Sequence, residues 1–293
     1  MENNVNEKQE IRRRMKLSQW FLNLFLFGAV AYLAWYRLDS SRVSQKNQEL
    51  WELAWQTTEE NLKKSPKGEE EIQGTREEGD RKTTDNVSGT VSEKEGVSEE
   101  QYIPGFDALV SVNSEVKGWL SIPGTTLSLP VVQGTDNSYY LNHDFYGEND
   151  RHGTIFIDCE ADFENGWKNT VLYGHNMRDG SMFGSLRAYR NEEYYREHPY
   201  FVLYLPDAIM EYEILAVLRN DILPGEEELF QYYDYKQIEN EEMFEEYYEE
   251  IKEHSLYDIA VEAQYGDELV TLCTCDYGSE DQRLLVVGKK KQH

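Results

Sequence analysis

Three residues in the C-terminal half of the chain have types and settings that suit acyl-transfer chemistry. Cys275 ends the run VTLCTC, which reads as a strand, and the turn DYGSEDQ separates it from RLLVVGK, a strand that opens at Arg283. His175 closes another strand-like run, NTVLYGH, just before the loop NMRDGS. Strand ends suit sites, because a rigid element holds the backbone while the loop beyond leaves the side chain reachable. A thiolate attacks a carbonyl carbon, and an imidazole shuttles the proton to the leaving amine. A guanidinium keeps its charge and can hold the oxygen that turns negative. A cysteine and a histidine that both end strands can meet across a sheet edge, and a hairpin after Cys275 returns Arg283 to the same side. By pattern alone the set is weak, since single Cys and His residues pack in cores more often than they catalyse.

Composition narrows the partners and the compartment. Lys and Arg number 29 against 56 Asp and Glu, a formal net charge of −27, which argues against nucleic acid because phosphate recognition needs a basic face. Three cysteines, Cys159, Cys273 and Cys275, are few for an exported disulfide scaffold, and their odd number leaves at least one thiol unbridged. Residues 17–36 form one apolar run of about 20 residues, the length of a membrane-spanning helix. Arg12, Arg13, Arg14 and Lys16 precede it, and the sparser Arg37, Arg42 and Lys46 follow. That bias sets residues 1–16 in the cytoplasm and everything after Arg37 outside. A cleavable signal peptide is the alternative, but the run leads into LAWYRLDSS instead of a small-residue cleavage site.

The elements that must carry the three residues follow from periodicity. Residues 37–100 divide into a juxtamembrane stretch with Trp51, Leu53 and Trp55 and, from about Lys63 to Glu99, a polar acidic run that cannot bury enough surface to fold. Read as a flexible stalk of about 40 residues, it would reach roughly 35 Å. Residues 101–293 hold the density of aromatic and β-branched residues that one substantial core needs. A helix is expected around Phe106, Leu109 and Val110, then strands within GWLSIPGTTLSLPVVQG, GTIFIDC, NTVLYGH, YFVLYL, MEYEILAVL, ELVTLCTC and RLLVVGK, with a further helix from Met182 to Arg196. Many short strands with few helices predict a mainly β domain, an antiparallel barrel or sandwich decorated by helices. Between Asn240 and His254, Met243, Phe244, Tyr247, Tyr248 and Ile251 make an apolar stripe at helical spacing. The surrounding glutamates fit a solvated face, and no spacing matches a calcium loop. His152 and His198 sit in polar loop contexts, and Trp119 and Trp167 read as core or rim packing.

The run TLCTC at 271–275 matches the TLxTC signature of sortases, and YGHNM upstream with Arg283 downstream fits the other two catalytic positions in order and spacing. The chain from Gln101 to Lys291, including GWLSIPGT, LPVVQGTDNSYYL and GTIFID, resembles class B sortases, as does the helical insertion before the final cysteine strand. The resemblance implies an eight-stranded sortase-type β-barrel with an N-terminal helix, behind a transmembrane anchor. It implies Cys275 as nucleophile, His175 as general acid and base, and Arg283 as oxyanion and substrate clamp. The reaction would cut after Thr in a C-terminal sorting signal, of Asn-Pro or Pro-Pro type, through a thioester. It would then transfer the protein to a peptidoglycan precursor (lipid II) amine in a Gram-positive wall, with no metal or organic cofactor. Asn137 and Leu141 match substrate-groove positions of class B relatives, and Cys273 and Asp276 flank the nucleophile in that groove. Cys273 departs from the small or polar residues more typical at its position, and a bond to Cys275 across one residue would be strained. Pilin polymerisation onto a lysine, a thiol peptidase releasing to water, and an inactive membrane-tethered binding module are the rival readings.

Overall fold

The computed structural model describes residues 2–55, 103–162, 168–221, 231–275 and 282–292. Trp167, Asp276 and the acidic run expected as a stalk lie outside them. The β-branched runs form strands β1 (Val116–Ser121), β2 (Ser128–Val132), β3 (Ile155–Ile157), β4 (Asn169–His175), β5 (Tyr200–Tyr204), β6 (Ile209–Asp221), β7 (Leu269–Cys275) and β8 (Gln282–Lys290). They close into one barrel in the order β1-β2-β3-β4-β7-β8-β6-β5. The all-antiparallel pattern expected above is corrected at two pairings, β2 with β3 and β4 with β7, which are parallel. A parallel pair needs a long crossover, and the chain supplies one each time: residues 133–154 before β3, and residues 176–268 between β4 and β7.

Strand alternation divides the side chains between two cores. Leu172 of β4, Val270 and Leu272 of β7, and Leu284 and Val286 of β8 point into the barrel, where Phe201 and Tyr212 stack at 5.2 Å. Val171, Leu269, Cys273, Leu285 and Val287, the alternate positions, pack outward under the insertion. The insertion folds as a 3-10 turn (Tyr232–Tyr235) and a helix (Glu241–Glu253) that buries Phe244, Tyr247 and Ile251. Asn240 caps this helix by accepting the Met243 N–H, and His254 ends it, accounting for the stripe read between them. The segment from Met182 to Arg196, expected to be helical, is a 3-10 helix (Phe183–Arg190) followed by a short α-helix (Glu192–Glu197). The break falls at Asn191, whose side chain accepts the Glu193 N–H and restarts the helix there.

A helix from Glu2 to Trp55, here α1, runs through the apolar stretch, whose Phe25 and Phe27 are more than 70% exposed. One face of its last turns is covered. Val43, Leu50 and Ala54 are buried, and Leu50 and Ala54 share a third core with Ile103, Leu109, Trp119, Tyr140 and Phe156. Arg151 donates from Nε to Asp39 at 2.7 Å and lies over the rings of Trp35 and Tyr36. Lys46 pairs with Asp144 and Glu148. The chain re-enters beside the point where α1 ends: Gly105 donates its N–H to the Ala54 carbonyl at 2.9 Å. A Cβ at Gly105 would stand 2.0 Å from the Leu53 carbonyl oxygen, so this approach needs glycine.

Candidate active site

The parallel pairing of β4 with β7 runs in register from Asn169↔Leu269 to His175↔Cys275. Both strands therefore end together, and the backbones of His175 and Cys275 lie on adjacent strands about 4.8 Å apart. On the other side of β7, β8 pairs antiparallel with Cys273 opposite Leu285. The pairing of β7 with β8 ends there, two residues before Cys275 on one strand and two after Arg283 on the other. By count along the strands, positions 175 and 283 belong to the alternate set that includes Val171, Cys273 and Leu285, the outward-packing set.

His175 is 7% exposed, and its Nε2 lies 2.7 Å from the carbonyl oxygen of Leu141. A carbonyl only accepts, so in this arrangement Nε2 carries the hydrogen. The 3-10 turn Tyr139–Leu141, in the crossover from β2 to β3, brings Leu141 there. Gly174 precedes His175; a Cβ on it would meet Ile155 Cδ1 at 2.4 Å and Phe183 at 2.8 Å, so a bare position lets Phe183 lie flat against the strand end.

Arg283 donates from Nη1 to the Tyr232 hydroxyl at 2.7 Å, with its guanidinium carbon 5.8 Å from the centre of that ring. The Tyr232 hydroxyl also accepts from the Cys273 thiol at 3.3 Å. Burial first, then the neighbouring Cys273 and Tyr173, raise the Tyr232 phenol above its ordinary range, while Arg283 works the other way. Tyr232 is therefore a neutral hydroxyl that receives the guanidinium. No sequence signal singled it out, because an aromatic in an acidic insertion reads as packing. Cys273 is a thiol and not half of a disulfide, and it is fully buried beneath Tyr232.

Asn137 is held by two bonds. Its Oδ1 accepts the Cys159 N–H at 2.8 Å and its Nδ2 donates to Asp158 Oδ2 at 3.1 Å. Asp158, 1% exposed, also receives the Tyr173 hydroxyl at 3.0 Å and the Lys236 ammonium at 2.7 Å on the same oxygen. Cys159 itself is partly exposed, and burial, with Asp158 and Glu160 beside it, pushes its thiol up, which suits an inert group. His152 is buried against Asp150 at 2.7 Å, away from these groups, and His198 bonds the Pro123 carbonyl.

Comparison with known proteins was made on this background. Residues 120–291 match the family model of the sortase domain. The chain is 36% identical over 187 residues to sortase B of Listeria monocytogenes, covering 62% of this chain and 72% of that one. Its fold is similar to the crystal structure of sortase B from Bacillus anthracis in complex with AAEK1, with TM-score 0.58, 33% identity, and coverage of 69% and 91% of the two chains. It is likewise similar to a Staphylococcus aureus sortase B-substrate complex, with TM-score 0.59, 29% identity and coverage of 66% and 88%.

Proposed function

The chain belongs to the sortase family, in its class B, a family of cysteine transpeptidases, and from that premise we propose that it attaches secreted proteins to the cell wall through a Cys275 thioester. The observation that carries this reading is the in-register end of β4 and β7, which starts His175 and Cys275 from neighbouring backbone positions, with Arg283 at the start of the adjacent strand β8. In the proposed reaction the Cys275 thiolate attacks the carbonyl of Thr in a C-terminal sorting signal. The C–N bond breaks, the leaving amine takes its proton from His175, and the Thr carbonyl remains on sulfur as a thioester. Arg283 holds the oxygen while it carries negative charge. An amine of the peptidoglycan precursor lipid II then gives its proton to His175 and displaces Cys275. Asn137 and Leu141 line the groove for the signal, with Cys273 and Asp276 beside the nucleophile. The buried thiol of Cys273 contributes from beneath the groove through Tyr232.

We further propose that residues 17–36 cross the membrane with residues 1–16 in the cytoplasm. Among the described residues, α1 from Gln19 onward is the one helix long and apolar enough to do so. Arg151 against Trp35, Tyr36 and Asp39 sets the barrel within a helical turn of the end of that run. A barrel held so near the bilayer favours a lipid-linked acceptor over a distant pilin lysine. Intact mass of the enzyme after incubation with Asn-Pro and Pro-Pro type peptides tests the chemistry. The expected product is a thioester adduct on wild type that is absent from Cys275→Ala, and an adduct that survives the substitution refutes the nucleophile. Competition between a wall-peptide amine and a pilin-derived lysine tests the acceptor, and exclusive use of the lysine overturns the wall assignment.

A further inference from the structure

Asn137 stands where the proposed reaction needs a fixed polar group in the groove, and an asparagine side chain can present either an oxygen or an N–H. Its neighbours decide which. The Cys159 N–H can face only Oδ1, and the Asp158 carboxylate can face only Nδ2. The amide is thereby locked in one sense, with one Nδ2 hydrogen left over to meet a carbonyl of a bound peptide. We infer that Asp158 is a positioning residue for substrate recognition, orienting the Asn137 amide so that the groove offers a hydrogen-bond donor. This rests on the proposed sortase reading and on the place of Asn137 in the groove.

The surroundings of Asp158 fit that task. Its Oδ1 accepts the Glu160 N–H at 3.0 Å, and its Oδ2 accepts from Asn137, Tyr173 and Lys236. Every group facing the carboxylate is a donor. An amide at this position would always set a donor against a donor, whichever way it turned. Lys236 comes from the insertion, Tyr173 from β4 two residues before His175, and Asn137 from the crossover after β2, so one carboxylate ties all three segments to a single geometry. A buried ion pair adds little net stability, because desolvation offsets the attraction. The Lys236–Asp158 pair, whose carboxylate is almost wholly buried, is better explained by the orientation it imposes.

The test is a double-mutant cycle in the full chain with a fluorogenic peptide shown by mass to acylate the wild type. Asp158→Asn is expected to raise KM about tenfold, the size of one lost hydrogen bond, with kcat within about twofold. Asn137→Ala should give a similar rise, and the double variant should be no worse than either single one. Multiplicative losses in the double variant, or a fall in kcat at constant KM, would overturn the positioning role, since a carboxylate that merely supports the fold has no reason to act through Asn137. If Asp158→Asn does not fold, Asp158→Leu with Lys236→Met removes the carboxylate and its charged partner together and carries the same expectation. A wild type that forms no thioester with either peptide type overturns the proposed reaction and this inference with it. A normal wild-type thioester with unchanged KM in the variants overturns the inference alone.

Discussion

Removing one oxygen atom tests whether Arg283 depends on the insertion. Tyr232→Phe keeps the ring by which the insertion packs over Cys273 and deletes the hydroxyl that accepts Arg283 Nη1 at 2.7 Å. A hydrogen bond from a charged donor is worth about 1.5–3 kcal/mol, and Arg283 is only partly buried, so water recovers some of it. A loss near the lower end, about 1.5 kcal/mol, corresponds to about tenfold in rate. If Arg283 holds the oxyanion, the loss falls on kcat, because the charge develops only in the transition state. Steady-state kinetics of Tyr232→Phe, Arg283→Ala and their combination on a fluorogenic sorting peptide measure this. The expected pattern is a severe loss for Arg283→Ala and no further loss when Tyr232→Phe is added to it. Full kcat in Tyr232→Phe, alongside an inactive Arg283→Ala, would refute the idea that Tyr232 orients the guanidinium. Arg283→Lys should also fail to restore the rate, since an ammonium lacks the planar fork that can bond tyrosine and substrate together.

Gly174→Ala should destabilise by about 1–3 kcal/mol through overpacking against Ile155 and Phe183, lowering Tm by several degrees in differential scanning calorimetry and kcat with it. Phe244→Ala removes a buried ring that stacks with Tyr248 and should cost about 3–5 kcal/mol in urea unfolding. Burial works against the charge on Lys46, but its bonds to Asp144 and Glu148 prevail and raise its pKa above 10.5. A raised lysine stabilises fully below its unfolded value, and that contribution fades as pH climbs through the folded value. Thermal melts of wild type should therefore lose stability above about pH 10.5, and Lys46→Met should flatten that alkaline limb. An unchanged limb would count against the Lys46 contact of α1.

Strands were legible because β-branched runs such as NTVLYGH and VTLCTC are bounded by turn residues, and the amphipathic stripe of the insertion is long enough to read. Which strands pair, and in which direction, is a tertiary choice. The parallel partnership of β4 and β7 joins segments nearly a hundred residues apart and leaves no local mark. Cys275, His175 and Arg283 are proposed from a short signature, whereas nothing in the sequence singled out Tyr232 or Asp158. A tyrosine among glutamates and an aspartate after a strand both look like ordinary surface until the fold buries them. The segment from Met182 to Arg196 is helical as read, but its division in two has a local cause, since the Asn191 side chain caps the second helix and restarts the chain there. The docking of Leu50 and Ala54 was invisible because their partners, Trp119 and Leu109, lie beyond the acidic run.

The bond from Gly105 to the Ala54 carbonyl bears on what a break in the chain between them would do. The described residues on either side of residues 56–102 meet at Ala54 and Gly105, so under the proposed membrane crossing it is α1 that sets the height of the barrel above the bilayer. Shortening or extending that stretch changes closure entropy only logarithmically. A protease that nicked residues 56–102 would sever the chain without releasing the barrel, because Leu50, Ala54, Lys46 and Asp39 would still hold α1 against it. If residues 17–36 cross the membrane as proposed, the nicked barrel should be missing from the culture medium, and the two pieces should part only on denaturation.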